Sequence, residues 1–232
     1  MYGRVVYNVR RPSEELLNKV GGIWAGTLAD DMGPHGAMDH TIRPLFEGIE
    51  LFGSALTVLC YPGDNIMVHK ALQLARPGDI FVVDCGGSVD QSVIGYNQTL
   101  QARRKGVKGM VTNGCIRDVR DIRKDKFPVF CYGITPRSPQ KNTAGSVNVS
   151  VQVGGVVVNP GDIVVGNDDG VTVVPLSIAE EIIEKARARM DMEHQQIADT
   201  SAGKITLDAL MGGSSWVDDI LKDKIIEVGR DS

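Results

Sequence analysis

The sequence predicts an α/β fold built on one mixed β-sheet. Two patterns carry that reading. Apolar, β-branched runs alternate with helical stretches through the first half, and the chain turns strongly β after residue 145 before a long helical pattern near its end. With 232 residues, 42% of them apolar, the chain can bury a core without disulfide or metal staples, as one domain or one domain with extensions.

In order along the chain, Pro12-Ser13-Glu14-Glu15 opens a helix that continues through Leu16, Leu17 and Val20. SALTVLCY, from Ser54 to Tyr61, reads as a strand. The turn Pro62-Gly63-Asp64 ends it, and a helical stretch follows from Asn65 to Ala75. Pro77-Gly78-Asp79 launches the strand IFVVDC, and Pro160-Gly161-Asp162 launches IVVGND. These PGD turns share no fixed period and are not repeats. Between them lie a helix from about Gln98 to Lys105, the strand GMVTN, an Arg-Asp segment and FPVFCYG. VNVSVQV, Gly154-Gly155 and the Asp169-Gly170 pair read as hairpins. A long helix spans about Ser177 to Asp199, before a polar, Gly-containing tail. The expected division is a domain over residues 1–203 and an extension over residues 204–232.

Composition narrows the function. A net charge of −4 and a pI near 5.6 argue against general affinity for nucleic acid or an anionic membrane, with Arg103-Arg104-Lys105 read as a solvated helix face. The four cysteines, Cys60, Cys85, Cys115 and Cys131, are far apart and form no CxxC. They read as reduced, buried thiols of a cytoplasmic protein. No secretory start is visible, and no apolar run is long enough to span a bilayer.

Three places carry candidate chemistry. Gly95-Tyr96-Asn97-Gln98 precedes a helix, whose unpaired N–H groups suit a carboxylate or phosphate, although every helix has such an end. GMVTNGCIRD ends on Arg117 and Asp118. Arg offers a planar fork of donors for a carboxylate and Asp a hard oxygen ligand for Mg²⁺ or Mn²⁺. Taken alone, that dipeptide reads as a surface feature. Helical spacing sets Glu193 in one stripe with Ile182, Ala186, Met190 and Ile197, so the acid falls on an apolar face and needs a partner if buried. The alternatives are a helix that frays before Glu193 or a pairing with a core Arg. His35, His40, His69 and His194 lack ligand spacing and read as structural. No G-x-G-x-x-G or P-loop is present.

Taken together, PGDNIMVHKALQLARPGDIFVVD, IGYNQTLQARRKG, GMVTNGCIRD, FPVFCYGITP and GSVNVSVQVGGVVVNPGDIVVGNDDGVTVVP resemble the RraA-like family. Within it the chain most resembles the 4-hydroxy-4-methyl-2-oxoglutarate / 4-carboxy-4-hydroxy-2-oxoadipate aldolases. The resemblance runs from Tyr2 to about Gly203. It implies a swivelling-domain type of α/β fold with a mixed β core flanked by helices and a long C-terminal helix. It also implies a homotrimer or a pair of trimers with sites between subunits. The implied activity is that of a class II aldolase, which cleaves a 4-hydroxy-2-oxo acid to pyruvate with Mg²⁺ or Mn²⁺ and decarboxylates oxaloacetate through the same metal-stabilised enolate.

By position, the resemblance implies that Arg117 binds substrate and aids proton transfer, and that Asp118 is the direct metal ligand. It implies that Glu193, from a neighbouring subunit, holds metal-bound water. Backbone amides around Gly95, Tyr96, Asn97 and Gln98 would receive the pyruvyl carboxylate, and Lys141 would meet a distal one. The chain departs from the aldolase pattern at Tyr96, where an acid is usual, and at Asn97 and Gln98, where apolar residues are usual. Asn113 stands in place of an Asp. These departures imply a less negative, more polar site, in which the Tyr96 phenol is a candidate proton donor or shuttle. Two rival expectations remain: a protein-binding regulator of ribonuclease E, as some members of the family are, or an enzyme of the same enolate chemistry with a different overall reaction.

Overall fold

The computed structural model describes residues 3–33, 35–205, 215–222 and 224. Helix α1 (Glu14–Val20) begins where Pro12-Ser13-Glu14-Glu15 places it, because the Ser13 hydroxyl accepts the Leu16 N–H at 3.1 Å. After α2 (Ala25–Met32) and β1 (Arg43–Pro44), the units β2 (Leu51–Leu59), α3 (Ile66–Leu74) and β3 (Asp79–Asp84) form a parallel crossover. There follow β4 (Ser92–Ile94), α4 (Tyr96–Arg104), β5 (Gly109–Thr112), β6 (Cys115–Ile116), α5 (Val119–Lys124), β7 (Val129–Cys131) and β8 (Gly133–Ile134). The β-rich part comprises β9 (Ser146–Val147), β10 (Val151–Val153), β11 (Val156–Val158), β12 (Ile163–Asn167) and β13 (Gly170–Val174). Last come α6 (Ala179–Ser201) and α7 (Ser215–Leu221).

The main sheet runs β1-β7-β5-β3-β2-β12-β13. Strands β2, β3, β5, β7 and β13 run in one direction, and β1 and β12 run against them. Along its other edge, β2 pairs with β12 at Ser54 and with β9 at Val58. Both faces of this sheet are covered, so its strands are apolar almost throughout. Alternation along β3 divides the core. Phe81 and Val83 join the cluster under α3, α4 and α5, which includes Leu72, Ala102 and Ile122. Ile80 and Val82 face the cluster that holds Val151, Val153, Val156 and Val158 of the β10–β11 hairpin.

A second, smaller sheet positions the chemistry. Strands β4, β6 and β8 pair in parallel, and they come next in the chain after β3, β5 and β7 respectively. The step between sheets is pinned by Asn113. Its Oδ1 accepts the Cys85 N–H at 2.8 Å, and its Nδ2 donates to Asp84 Oδ1 at 2.8 Å and to the Gln152 carbonyl at 3.1 Å. Only an amide supplies both roles. Asn113 therefore does not remove a charge from the site, as expected from the sequence, but acts as a buried bolt between strands.

By contact, the chain divides into two compact units, Met1–Ala186 and Arg187–Ser232. Within α6, Ile182, Ile183, Ala186 and Met190 are buried. Most of the expected extension over residues 204–232 lies outside the described residues. No helix among the described residues is long and apolar enough to cross a membrane.

The Asn113→Asp variant sets a second carboxylate against Asp84 and loses two donated hydrogen bonds. We expect it to destabilise the fold by about 2 kcal/mol at neutral pH. Because protonating either acid restores a donor, the deficit should shrink as pH falls through the carboxylate range. Urea unfolding of both proteins at neutral and mildly acidic pH measures this, and a pH-independent deficit would contradict it.

Candidate functional site

Ligands of parallel sheets gather at the carboxyl ends of their strands, and the small sheet presents three such ends side by side. Strand β4 runs into Gly95 and α4, β6 into Arg117 and Asp118, and β8 into the loop that carries Ser138 and Lys141. Pairing holds them in register. The Arg117 N–H donates to the Ile94 carbonyl and the Thr135 N–H to the Ile116 carbonyl, both at 3.0 Å.

Arg117 and Asp118 are chain neighbours, yet both lie against Gly95. The cause is backbone: Asp118 takes a left-handed conformation, φ 59° and ψ 32°, which turns the chain sharply as it enters α5. Asp tolerates that region better than most residues. A Cβ on Gly95 would stand 2.8 Å from Asp118 Oδ2, 3.3 Å from Arg117 Cγ and 3.4 Å from Arg117 Nε. Gly95 itself is extended, so glycine is needed here for closeness rather than for its dihedrals. Arg117 Nε lies 3.7 Å from Asp118 Oδ2, and its Nη1 donates to Ser138 Oγ at 2.7 Å.

The first turn of α4 is already partly occupied. The Gly95 N–H donates to the Gln98 side-chain oxygen at 3.0 Å, the Tyr96 N–H to Asp118 Oδ2 at 3.1 Å, and the Gln98 N–H to the Gly95 carbonyl at 3.1 Å. Only the Asn97 N–H lacks a partner among the described residues. The Gln98 bond to Gly95 also explains why α4 starts at Tyr96 rather than at Gln98. Of the amides expected to receive a carboxylate, then, Asn97 is free and Tyr96 is held by Asp118.

The Tyr96 phenol does not face this cluster. Its hydroxyl donates to Asp125 Oδ2 at 2.9 Å, at the other end of α5, and that carboxylate raises its pKa further above neutral. The expected proton shuttle is corrected accordingly: Tyr96 reaches the site through its backbone. Lys141 is exposed on the loop after β8, and its charge bears on His69 of α3. The sequence does not single out Ser138, and it reads His69 as structural. The second had one visible signal, a Gln at the usually apolar position 98, which needed a polar partner.

Glu193 is half-exposed on α6, and Ile197 is 53% exposed, so the buried part of the stripe ends at Met190. Within one chain, Glu193 is therefore not the buried acid that the periodicity suggested. The cysteines are all free and buried, and burial pushes Cys85 to about 11 and Cys131 to about 12. None of these thiols is poised to act as a nucleophile.

No group of three or more His, Cys, Asp or Glu side chains that could hold a metal occurs among the described residues. Asp118 offers one donor: a half-exposed hard oxygen ligand, with Oδ1 unpartnered among the described residues and Oδ2 packed close against Gly95. That suits Mg²⁺, which takes one or two carboxylates and completes its shell with water and substrate oxygens.

The family model described as RraA-like, Aldolase/RraA, matches residues 25–173. A protein of Halalkalibacterium halodurans named "Putative 4-hydroxy-4-methyl-2-oxoglutarate aldolase" is 40% identical over 149 residues, which are 64% of this chain and 71% of that protein. The crystal structure of an uncharacterized Pseudomonas syringae protein is 25% identical. It covers 89% of this chain and 97% of its own, with a TM-score of 0.80. Streptomyces coelicolor RraAS2, described as an unusual member of the RNase ES inhibitor RraA protein family, is 29% identical. It covers 81% of this chain and 98% of its own, with a TM-score of 0.73.

Gly95→Ala tests the cluster directly. The added methyl would push Asp118 and Arg117 from their positions, and displacement of that size costs on the order of 100-fold in kcat/KM at a working site. Thermal unfolding should change little, because Gly95 is in extended backbone. Unchanged turnover in a folded Gly95→Ala protein would place the chemistry elsewhere.

Proposed function

The chain belongs to the RraA-like family, and we propose that it is a divalent-metal-dependent lyase that releases pyruvate from a 4-hydroxy-2-oxo acid or from oxaloacetate. The observation that carries the reading is the meeting of Arg117, Asp118 and the first turn of α4 around Gly95. The 40% identity to a protein named as an aldolase supports the reaction class.

In this proposal the substrate's 1-carboxylate enters at the N-terminus of α4, taking the free Asn97 N–H and displacing Asp118 from the Tyr96 N–H. Asp118 would then hold the cation. A divalent cation there supplies Lewis acidity at the keto oxygen, where negative charge develops as the carbon–carbon bond breaks. Arg117, held by Ser138, orients the oxo acid, offsets that charge and assists proton transfer. Lys141 meets a second carboxylate at the far end of the substrate. Glu193, from a neighbouring copy in a trimer or a pair of trimers, is the second acid of the proposed set. Aldol cleavage and decarboxylation both leave the same electron pair at C3, so one site serves either reaction.

A second reading, a protein-binding regulator, draws on the likeness to the RNase ES inhibitor family. The two separate in one assay. Pyruvate release, coupled to lactate dehydrogenase, is measured from oxaloacetate and a panel of 4-hydroxy-2-oxo acids, with Mg²⁺ or Mn²⁺ and again with excess chelator. The lyase reading expects metal-dependent pyruvate. Arg117→Lys, which loses the planar fork, should lower kcat/KM by about tenfold or more. Lys141→Ala should raise KM about tenfold for substrates with a distal carboxylate and leave the others unchanged. Absence of pyruvate from every substrate would favour the regulator.

A further inference from the structure

His69 and Gln98 form a hydrogen-bonded pair behind the site. Gln98 is buried, and its side-chain oxygen accepts the Gly95 N–H at 3.0 Å. That bond fixes the orientation of the amide and turns its NH₂ group towards His69, with Nε2 of Gln98 3.2 Å from Nε2 of the imidazole. An NH₂ group can only donate. Nε2 of His69 must therefore accept, which requires a neutral ring with its proton on Nδ1. Protonated His69 would set two donors against each other.

We propose that His69 is a positioning residue of this site: as a neutral imidazole it fixes Gln98, and Gln98 fixes the Gly95 N–H. The relay holds the first turn of α4 in the geometry that receives the carboxylate of the 2-oxo acid. Removing the acceptor frees Gln98 to rotate and lets Gly95 shift beneath Arg117 and Asp118. Because the relay holds the turn that carries the binding amides of Tyr96 and Asn97 rather than the breaking bond, its loss raises KM more than it lowers kcat.

The surroundings favour the neutral ring. Burial lowers the imidazole pKa, and the Lys141 ammonium lowers it further. Strands β2 and β9, on which α3 packs, carry no charged residue, and Arg103 and Arg104 of α4 stand in its last turn. Asp64, which precedes α3, is committed to the N–H groups of Ile66, Asn142 and Thr143. Lys70 donates to Gln73 and lies 6.0 Å from the Tyr7 ring centroid. A depressed pKa means that the folded chain binds fewer protons than the unfolded one. The relay is thus complete at and above the ordinary imidazole range, and is lost as pH falls towards the folded value.

The kinetic part of this inference rests on the lyase reading, and the spectroscopic part does not. In the protein labelled with ¹⁵N-histidine and ¹⁵N-glycine, His69 should show the Nδ1–H tautomer at neutral pH. The Gly95 amide resonance should move with the His69 titration in the native chain and lose that dependence in His69→Phe. With oxaloacetate and Mn²⁺, His69→Phe should raise KM about tenfold with kcat within about twofold, and His69→Asn, which keeps a side-chain acceptor, should recover most of the loss. Gln98→Leu should match His69→Phe. A Gly95 resonance indifferent to His69 protonation, or an Nε2–H tautomer, would overturn the relay even if no oxo acid is cleaved. A normal KM in both variants would overturn its functional role. Failure of the native chain to release pyruvate would instead count against the lyase reading alone.

Discussion

The site depends on a parallel pairing between very short strands. Strands β4, β6 and β8 are two or three residues each, and their ladder joins Ser92 to Cys115 and Cys115 to Gly133. Such a sheet would not persist by itself. It stands because each strand follows a longer, largely buried strand of the main sheet, and because Asn113 bolts the junction with an amide that both donates and accepts. A one-residue slip of β6 would exchange the faces on which Arg117 and Asp118 emerge. The large core thus sets the position of a few polar side chains that have little packing of their own.

At the ends of those strands the chain holds a conflict that a ligand can resolve. Asp118 caps α4 through the Tyr96 N–H, beside the positive Arg117, in a left-handed backbone conformation. Such a conformation persists only where the surroundings enforce it. On the proposed reading, the carboxylate occupies part of the anion site that a substrate carboxylate would use, and its other oxygen would take a cation. In the proposed reaction, one event resolves both: the substrate takes the amide and Asp118 turns to the metal. In the proposed relay, the Gln98–His69 pair holds the Gly95 N–H of that turn from behind.

Much of this was legible in the sequence, for identifiable reasons. The PGD turns and β-branched runs gave the main strands, because a doubly covered parallel sheet needs continuous apolar stretches. Ser13 with Glu14 and Glu15 gave α1 through local capping. The small sheet was not legible, since two-residue strands such as Cys115–Ile116 carry no periodicity. Asn113 looked like a lost charge because its long-range partners, Asp84 and Gln152, are invisible in a linear pattern. Tyr96 looked catalytic by position, but which way a side chain leaves a helix depends on what the neighbouring helix offers, here Asp125. The stripe through Glu193 was read correctly as far as Met190. Beyond that residue, periodicity gives the face of a helix and not what covers it.

The central claim is that Asp118 and the α4 amides hold a cation and an oxo acid together, and Mn²⁺ binding tests it without requiring turnover. Water-proton relaxation would be recorded while Mn²⁺ is titrated into the native chain and Asp118→Asn, each with and without oxalate, which offers the adjacent carboxylate and oxygen of a 2-oxo acid. Asn accepts the same left-handed backbone, so the variant should keep its fold. The account predicts Mn²⁺ binding that oxalate strengthens in the native chain and that Asp118→Asn loses. Equal binding in the two proteins, or binding indifferent to oxalate, would contradict it.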